Sequence, residues 1–116
     1  MRNAKRIKLS DFIIIYSTFS EKQKAKECVK ALIDEGLCAC ANILGEIESI
    51  YKWNNKIEES KEIAVIFKTV SKNYELVENR LKQLHDYETP CIIAFNISKG
   101  SQEFLNWITS NTTIPL

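Results

Sequence analysis

The sequence predicts an α+β fold of the ferredoxin-like kind: a βαββαβ antiparallel sheet, two helices on one face and a short C-terminal helix. Three observations predict it. β-Branched and aromatic runs alternate with stretches of helical periodicity. A pair of turn-forming asparagines splits one long extended region into a hairpin. The size, 116 residues of which 45% are hydrophobic and 27% charged, suits one globular domain and excludes disorder as the state of the whole chain. Only three glycines and two prolines exclude a collagen-like or low-complexity chain.

Residues 1–10 form a basic leader carrying Arg2, Lys5, Arg6 and Lys8. Its four positive charges exceed the net charge of +1, so the remainder stands at −3. A solvated, disordered terminus is expected of the leader, and a single domain of residues 11–116. Nucleic-acid domains usually carry a basic stripe across the fold, and none is visible, so no nucleic-acid partner is expected. Residues 12–18 read as the first strand. Their apolar run is far shorter than the ~20 residues that span a bilayer, and no signal-peptide pattern accompanies it. A cytoplasmic protein with reduced cysteines and no membrane partner is therefore expected.

Ser20, with Gln23 three positions on, offers a capping box for the first helix. Ala25, Cys28, Val29, Leu32 and Ile33 form its apolar stripe, and Gly36 supplies the left-handed residue that ends it. An extended stretch then runs from Leu37 to about Trp53, with Gly45 predicting a bulge or bend. Asn54-Asn55 makes the turn into a third strand within residues 56–69. Ser71 is the expected cap of a second helix whose inward face is Tyr74, Val77, Leu81 and Leu84. His85 to Thr89 form a loop, Pro90 precedes a fourth strand over residues 91–97, and Ser101 opens the last helix.

The strand patterning carries a further implication. A sheet covered by helices on one face alone should alternate apolar with polar residues. Instead, residues 12–16, 63–67 and 91–95 are apolar at almost every position. Both faces must be buried, and a second copy of the chain is the expected cover.

The reactive inventory is small: one histidine, four cysteines, no phosphate-cradling glycine loop and no nucleophile paired with a base. Enzymatic activity is not expected. Cys28 and Cys91 read as small core residues. Cys38 and Cys40, two apart in an extended segment, would share a face unless a bulge separates them. Side by side, their thiols could hold Cu(I) or another thiophilic ion; equally, they could simply fill a small buried space. His85, followed by Asp86, Tyr87 and Glu88, is a candidate metal ligand or a helix-end cap. Trp53, beside the hairpin turn, is placed to dock on a neighbouring subunit.

Four separated motifs give the chain its resemblance. They are Gly36-Leu37-Cys38-Ala39-Cys40-Ala41-Asn42-Ile43, Ser49-Ile50-Tyr51-Lys52-Trp53 through Lys56-Ile57-Glu58-Glu59, Lys68-Thr69, and His85-Asp86-Tyr87-Glu88-Thr89-Pro90. In order and spacing the sequence resembles the CutA family, the divalent-cation tolerance proteins. The resemblance implies a tight homotrimer similar to the PII signalling proteins and a role in tolerance or binding of metals, chiefly copper, with sites between subunits. It points to Cys40 as metal ligand and to Trp53 as an interface residue; Cys38, on the same side of a regular strand, would support Cys40, and His85 would complete the site if its loop folds over that strand's end. Lys68, Glu59, Tyr87 and Glu88 fall at an inter-subunit cleft, where a small anionic ligand is the alternative occupant. A stable scaffold for partner proteins is a third possibility. No cofactor is required, though copper or another divalent cation is a possible ligand. Asp86 stands where the family usually has proline, Cys91 where an acidic residue is common, and Asn55 where the turn commonly has glycine.

Overall fold

A computed structural model describes residues 11–113; the basic leader lies outside them. The elements are β1 (Phe12–Phe19), α1 (Lys22–Asp34), β2 (Cys40–Trp53), β3 (Lys56–Val70), α2 (Tyr74–Leu84), β4 (Ile92–Asn96) and α3 (Gln102–Ser110), with a 3-10 turn at Ser71–Asn73 before α2. The four strands pair antiparallel in the order β2-β3-β1-β4. This is the ferredoxin-like arrangement expected from the sequence.

Register sorts the side chains between two faces. On the first face Ile13, Ile15 and Phe19 of β1 and Val65 and Phe67 of β3 pack with Ala25, Cys28 and Leu32 of α1 and Val77 and Leu81 of α2. Removing any of the large ones leaves a cavity, at about 2–5 kcal/mol for truncation to alanine. The second face carries Phe12, Ile14 and Tyr16 of β1, Ile66, Lys68 and Val70 of β3, and Ile93 and Phe95 of β4. One end of it is covered from within the chain, since Leu105 and Ile108 of α3 pack on Phe12, Val70 and Ala39. The rest is open, with Ile93 and Phe95 exposed at 47% and 55%. The short terminal helix thus forms a partial second layer that periodicity alone did not place.

The hairpin of β2 and β3 is fixed by its turn. Asn54 and Asn55 adopt φ of 50° and 63°, the left-handed region that asparagine tolerates better than most residues. Gly45, at φ 109°, sits where the β2–β3 register slips between Ile43 and Gly45, the predicted bulge. The hairpin reaches beyond the helices, so the molecule measures 57 Å in length against 26 and 23 Å across.

Helix ends depart from expectation in two places. α1 begins at Lys22, and Glu21 occupies its N-cap position with no side-chain cap. Ser20 instead donates its hydroxyl to Asp86 Oδ2 at 3.0 Å, and Gln23 donates to Glu27. The Ser20 hydroxyl is thus turned to a tertiary partner, one residue ahead of the N-cap position. α2 is entered through the 3-10 turn, and Asn73 holds the N-cap position without capping. At α3 the expected cap forms, with Ser101 Oγ accepting from the Phe104 amide at 3.2 Å. Gly36 ends α1 at φ 74°, and a β-carbon there would run into the side chain of Thr113, whose amide donates to the Gly36 carbonyl at 2.8 Å.

Candidate functional site

The Leu37–Cys40 segment is not the regular strand that its sequence suggested. The amides of Leu37 and Cys38 both donate to the Leu32 carbonyl, at 2.9 and 3.3 Å, and so still belong to the end of α1. Thr69 Oγ1 and Asn73 Nδ2 pin the Leu37 carbonyl from the other side, at 2.6 and 3.2 Å. The ladder to β3 starts only with the Ala39 amide on the Lys68 carbonyl. In consequence Cys38 turns into the core beside Cys28 and Phe67, while Cys40 stands opposite Lys68, whose partners across the sheet are on the second face. The expectation of two thiols on one face is corrected: helix closure inserts an irregular step between them.

The chemistry of the two thiols differs accordingly. Burial, and secondarily the neighbouring Cys40, push the Cys38 thiol up to about 12, so it stays protonated at neutral pH. Cys40 is partly exposed. Lys68, directly across from it, carries its ammonium over the Phe104 ring of α3, 5.5 Å from the centroid.

His85 is not free to bind a metal either. Its side chain is fully enclosed and stacks on Phe19, with ring centroids 4.7 Å apart. Nδ1 accepts the Tyr87 amide at 3.1 Å. The proton of a neutral ring is then on Nε2, which donates to the Thr18 carbonyl at 2.8 Å. Both nitrogens are engaged, and His85 is corrected from ligand to scaffold. It ends α2 by its backbone, donating its amide to the Leu81 carbonyl. Among the described residues no group of three histidine, cysteine or carboxylate side chains converges to hold a metal ion.

The loop from His85 to Pro90 wraps the end of β1, with His85 on the helix side and Tyr87 reaching β3. Tyr87 hydrogen-bonds the Glu62 carboxylate, and burial together with that bond pushes its hydroxyl pKa up. Cys91 and Tyr16 are raised by burial and by the same Glu62 charge. Tyr87 and Glu88, with Thr89, Pro90, Ile92 and the ion-paired Glu78 and Lys82 of α2, line a cavity of about 440 Å³. Two carboxylates against one ammonium leave its wall net acidic.

The predicted cleft residues therefore divide. Tyr87 and Glu88 share the cavity. Glu59 pairs with Ile50 far out on the hairpin, nine residues along β3 from Lys68, or roughly 30 Å at the rise of a strand. Only another copy of the chain could bring these together. Trp53 is half exposed near the hairpin tip. Glu62, Glu78 and Lys82 are additions that the sequence did not single out. Glu78 and Lys82 form an i,i+4 pair, a legible signal, whereas Glu62 showed only as a charge preceding an apolar run.

Comparison with known proteins agrees with this architecture. Residues 13–111 match the family model of the CutA1 divalent ion tolerance protein. The chain is 40% identical over 100 residues to the divalent-cation tolerance protein CutA of Pyrococcus horikoshii, covering 86% of this chain and 97% of that one. Among solved structures it resembles CutA from Xylella fastidiosa, with a TM-score of 0.87 and 35% identity over 90% of this chain and all of that one. It also resembles the periplasmic divalent cation tolerance protein CutA from Archaeoglobus fulgidus, with a TM-score of 0.84 and 39% identity over 86% of this chain and 97% of that one. No helix among the described residues is long and apolar enough to cross a membrane. Fold, motifs and relatives together place the chain in the CutA1 divalent ion tolerance protein family.

Proposed function

We propose that this chain is a homotrimeric metal-binding protein that holds copper, or another thiophilic ion, where its copies meet. The observation that carries this reading is the position of Cys40. It is a partly exposed thiol on the sheet face whose apolar residues Ile93 and Phe95 are left uncovered. A thiophilic ion needs two or three donors, and within one chain Cys38 is buried in the core and both ring nitrogens of His85 are engaged, so the remaining donors come from a neighbouring copy. The thiolate must stay reduced to act, which suits the cytoplasm.

Competition titration with Cu(I) tests this. The parent trimer is expected to bind and Cys40→Ser to lose at least tenfold in affinity, while His85→Phe, which keeps a ring against Phe19, keeps the parent affinity. Equal affinity of parent and Cys40→Ser rejects the thiolate site. Binding weakens as the pH falls, because protons compete for the thiolate.

One observation favours a second reading, an anionic small molecule between subunits. The Lys68 ammonium rests on an aromatic ring rather than on a carboxylate and is available to an anion. The net acidic cavity beside Tyr87 and Glu88 does not suit that ligand, which places it at Lys68 instead.

A further inference from the structure

The metal site proposed above leaves out the single histidine, whose side chain is fully enclosed. Its hydrogen bonds fix a protonation state. Nδ1 accepts from the Tyr87 amide and Nε2 donates to the Thr18 carbonyl, so only the neutral ring with its proton on Nε2 satisfies both. We propose that His85 is a proton-operated latch: neutral, it holds Tyr87 in the wall of the cavity, and protonated on Nδ1, it lets residues 87–90 go.

The geometry gives the added proton one destination. On Nδ1 it would face the Tyr87 N–H, donor against donor, and that hydrogen bond is lost. Asp86 Oδ1 lies 3.6 Å from Nδ1, a small ring rotation away from a charge-assisted bond. The other oxygen of Asp86 accepts from Ser20, so the carboxylate is anchored to the start of α1 and does not follow residues 87–90. Phe19, stacked on the ring, tolerates an imidazolium as a cation–π partner. Tyr87 then keeps its ring contact with His85, centroids 4.8 Å apart, and the interaction of its hydroxyl with Glu62.

Charged groups on the surrounding elements complete the setting. β3 contributes Glu62. α1 contributes Lys24 and Glu27, and α2 contributes Arg80, all acting together with Asp86 on the Cys28 thiol. β1 presents only the Thr18 carbonyl and the Phe19 ring. Among the described residues Asp86 is thus the carboxylate placed against Nδ1, where the family commonly has proline. The latch is closed while the ring is neutral and opens when Nδ1 takes up a proton. Opening releases Tyr87, Glu88, Thr89 and Pro90, which form one wall of the cavity of about 440 Å³.

Because the chain has one histidine, its ring signals in nitrogen-15 NMR of the intact protein are unambiguous. At high pH the spectrum should show the Nε2–H tautomer. On lowering the pH from 8.5 to 5 the Tyr87 amide should shift with the same midpoint as the imidazole, and its protection from exchange should fall at least tenfold. Asp86→Asn should move that midpoint to lower pH. An Nδ1–H tautomer, a Tyr87 amide that ignores the imidazole titration, or a ring that stays neutral throughout that range in the folded protein overturns the proposal. So does an unchanged midpoint in Asp86→Asn; should that variant not fold, the coupling in the parent decides alone.

Discussion

At the residue scale, two cysteines two positions apart in one short motif have opposite fates, and the difference is measurable. Cys38 has its thiol raised from 9.0 to about 12, first by burial and then by Cys40. A group whose folded pKa is raised stabilises the fold below its unfolded value, and that contribution disappears as the pH rises through the folded value. The parent is expected to lose stability between about pH 9 and 12. In Cys38→Ala the loss over the same window should be smaller, read as chemical-denaturation midpoints against pH. At pH 8 Cys38 should also resist alkylation in the folded protein and react only on unfolding, which peptide mass spectrometry resolves.

At the element scale, the ends of helices and strands hold the design. Gly36 closes α1 in the left-handed region, with Thr113 packed where a β-carbon would go. Gly36→Ala is expected to destabilise by about 1–2 kcal/mol from the backbone conformation alone, and further through Thr113. At the hairpin turn the direction reverses. Asn55, at φ 63°, should accept glycine with a stability change of about 1 kcal/mol or less. Asn55→Val should destabilise by about 1–2 kcal/mol, since a β-branched residue fits that region poorly. Urea midpoints of the three variants rank these effects.

At the scale of the whole molecule, the uncovered face and the projecting hairpin call for a neighbour. Ile50 and Ile57 are exposed at 67% and 74% and Trp53 at 51%, all on the hairpin arm. Light scattering should give about 40 kDa, three times 13.4 kDa. Trp53→Ala should loosen the assembly by ~2–4 kcal/mol, as interface anchors do. Two aspartate substitutions separate assembly from folding. Phe95→Asp, on the open face, should yield a folded smaller species. Val65→Asp, at 0% exposure beneath the helices, should unfold the chain, because a buried unpaired carboxylate costs several kcal/mol. A monomeric parent at micromolar concentration overturns the expected trimer.

Whatever depends on near neighbours along the chain was legible in the residues alone. Strand and helix identities follow from local periodicity. The Asn54-Asn55 turn, the Gly45 bulge, the Gly36 helix end and the Ser101 cap follow from what single residues tolerate at their own backbone angles. The family followed too, because its motifs are short and contiguous. What the tertiary structure decided are the competitions between partners distant in sequence. Ser20 left its own helix for Asp86, 66 residues away. His85 was drawn under Phe19 and onto the Thr18 carbonyl, 67 residues away, and lost its candidacy as a ligand. Cys38 parted from Cys40 because the end of α1 claimed its amide before the sheet could. α3 settled on the second sheet face, where a period of 3.6 says which side of a helix is buried but not what buries it. Polar atoms take whichever partner the folded chain brings within reach, and that reach is a property of three dimensions.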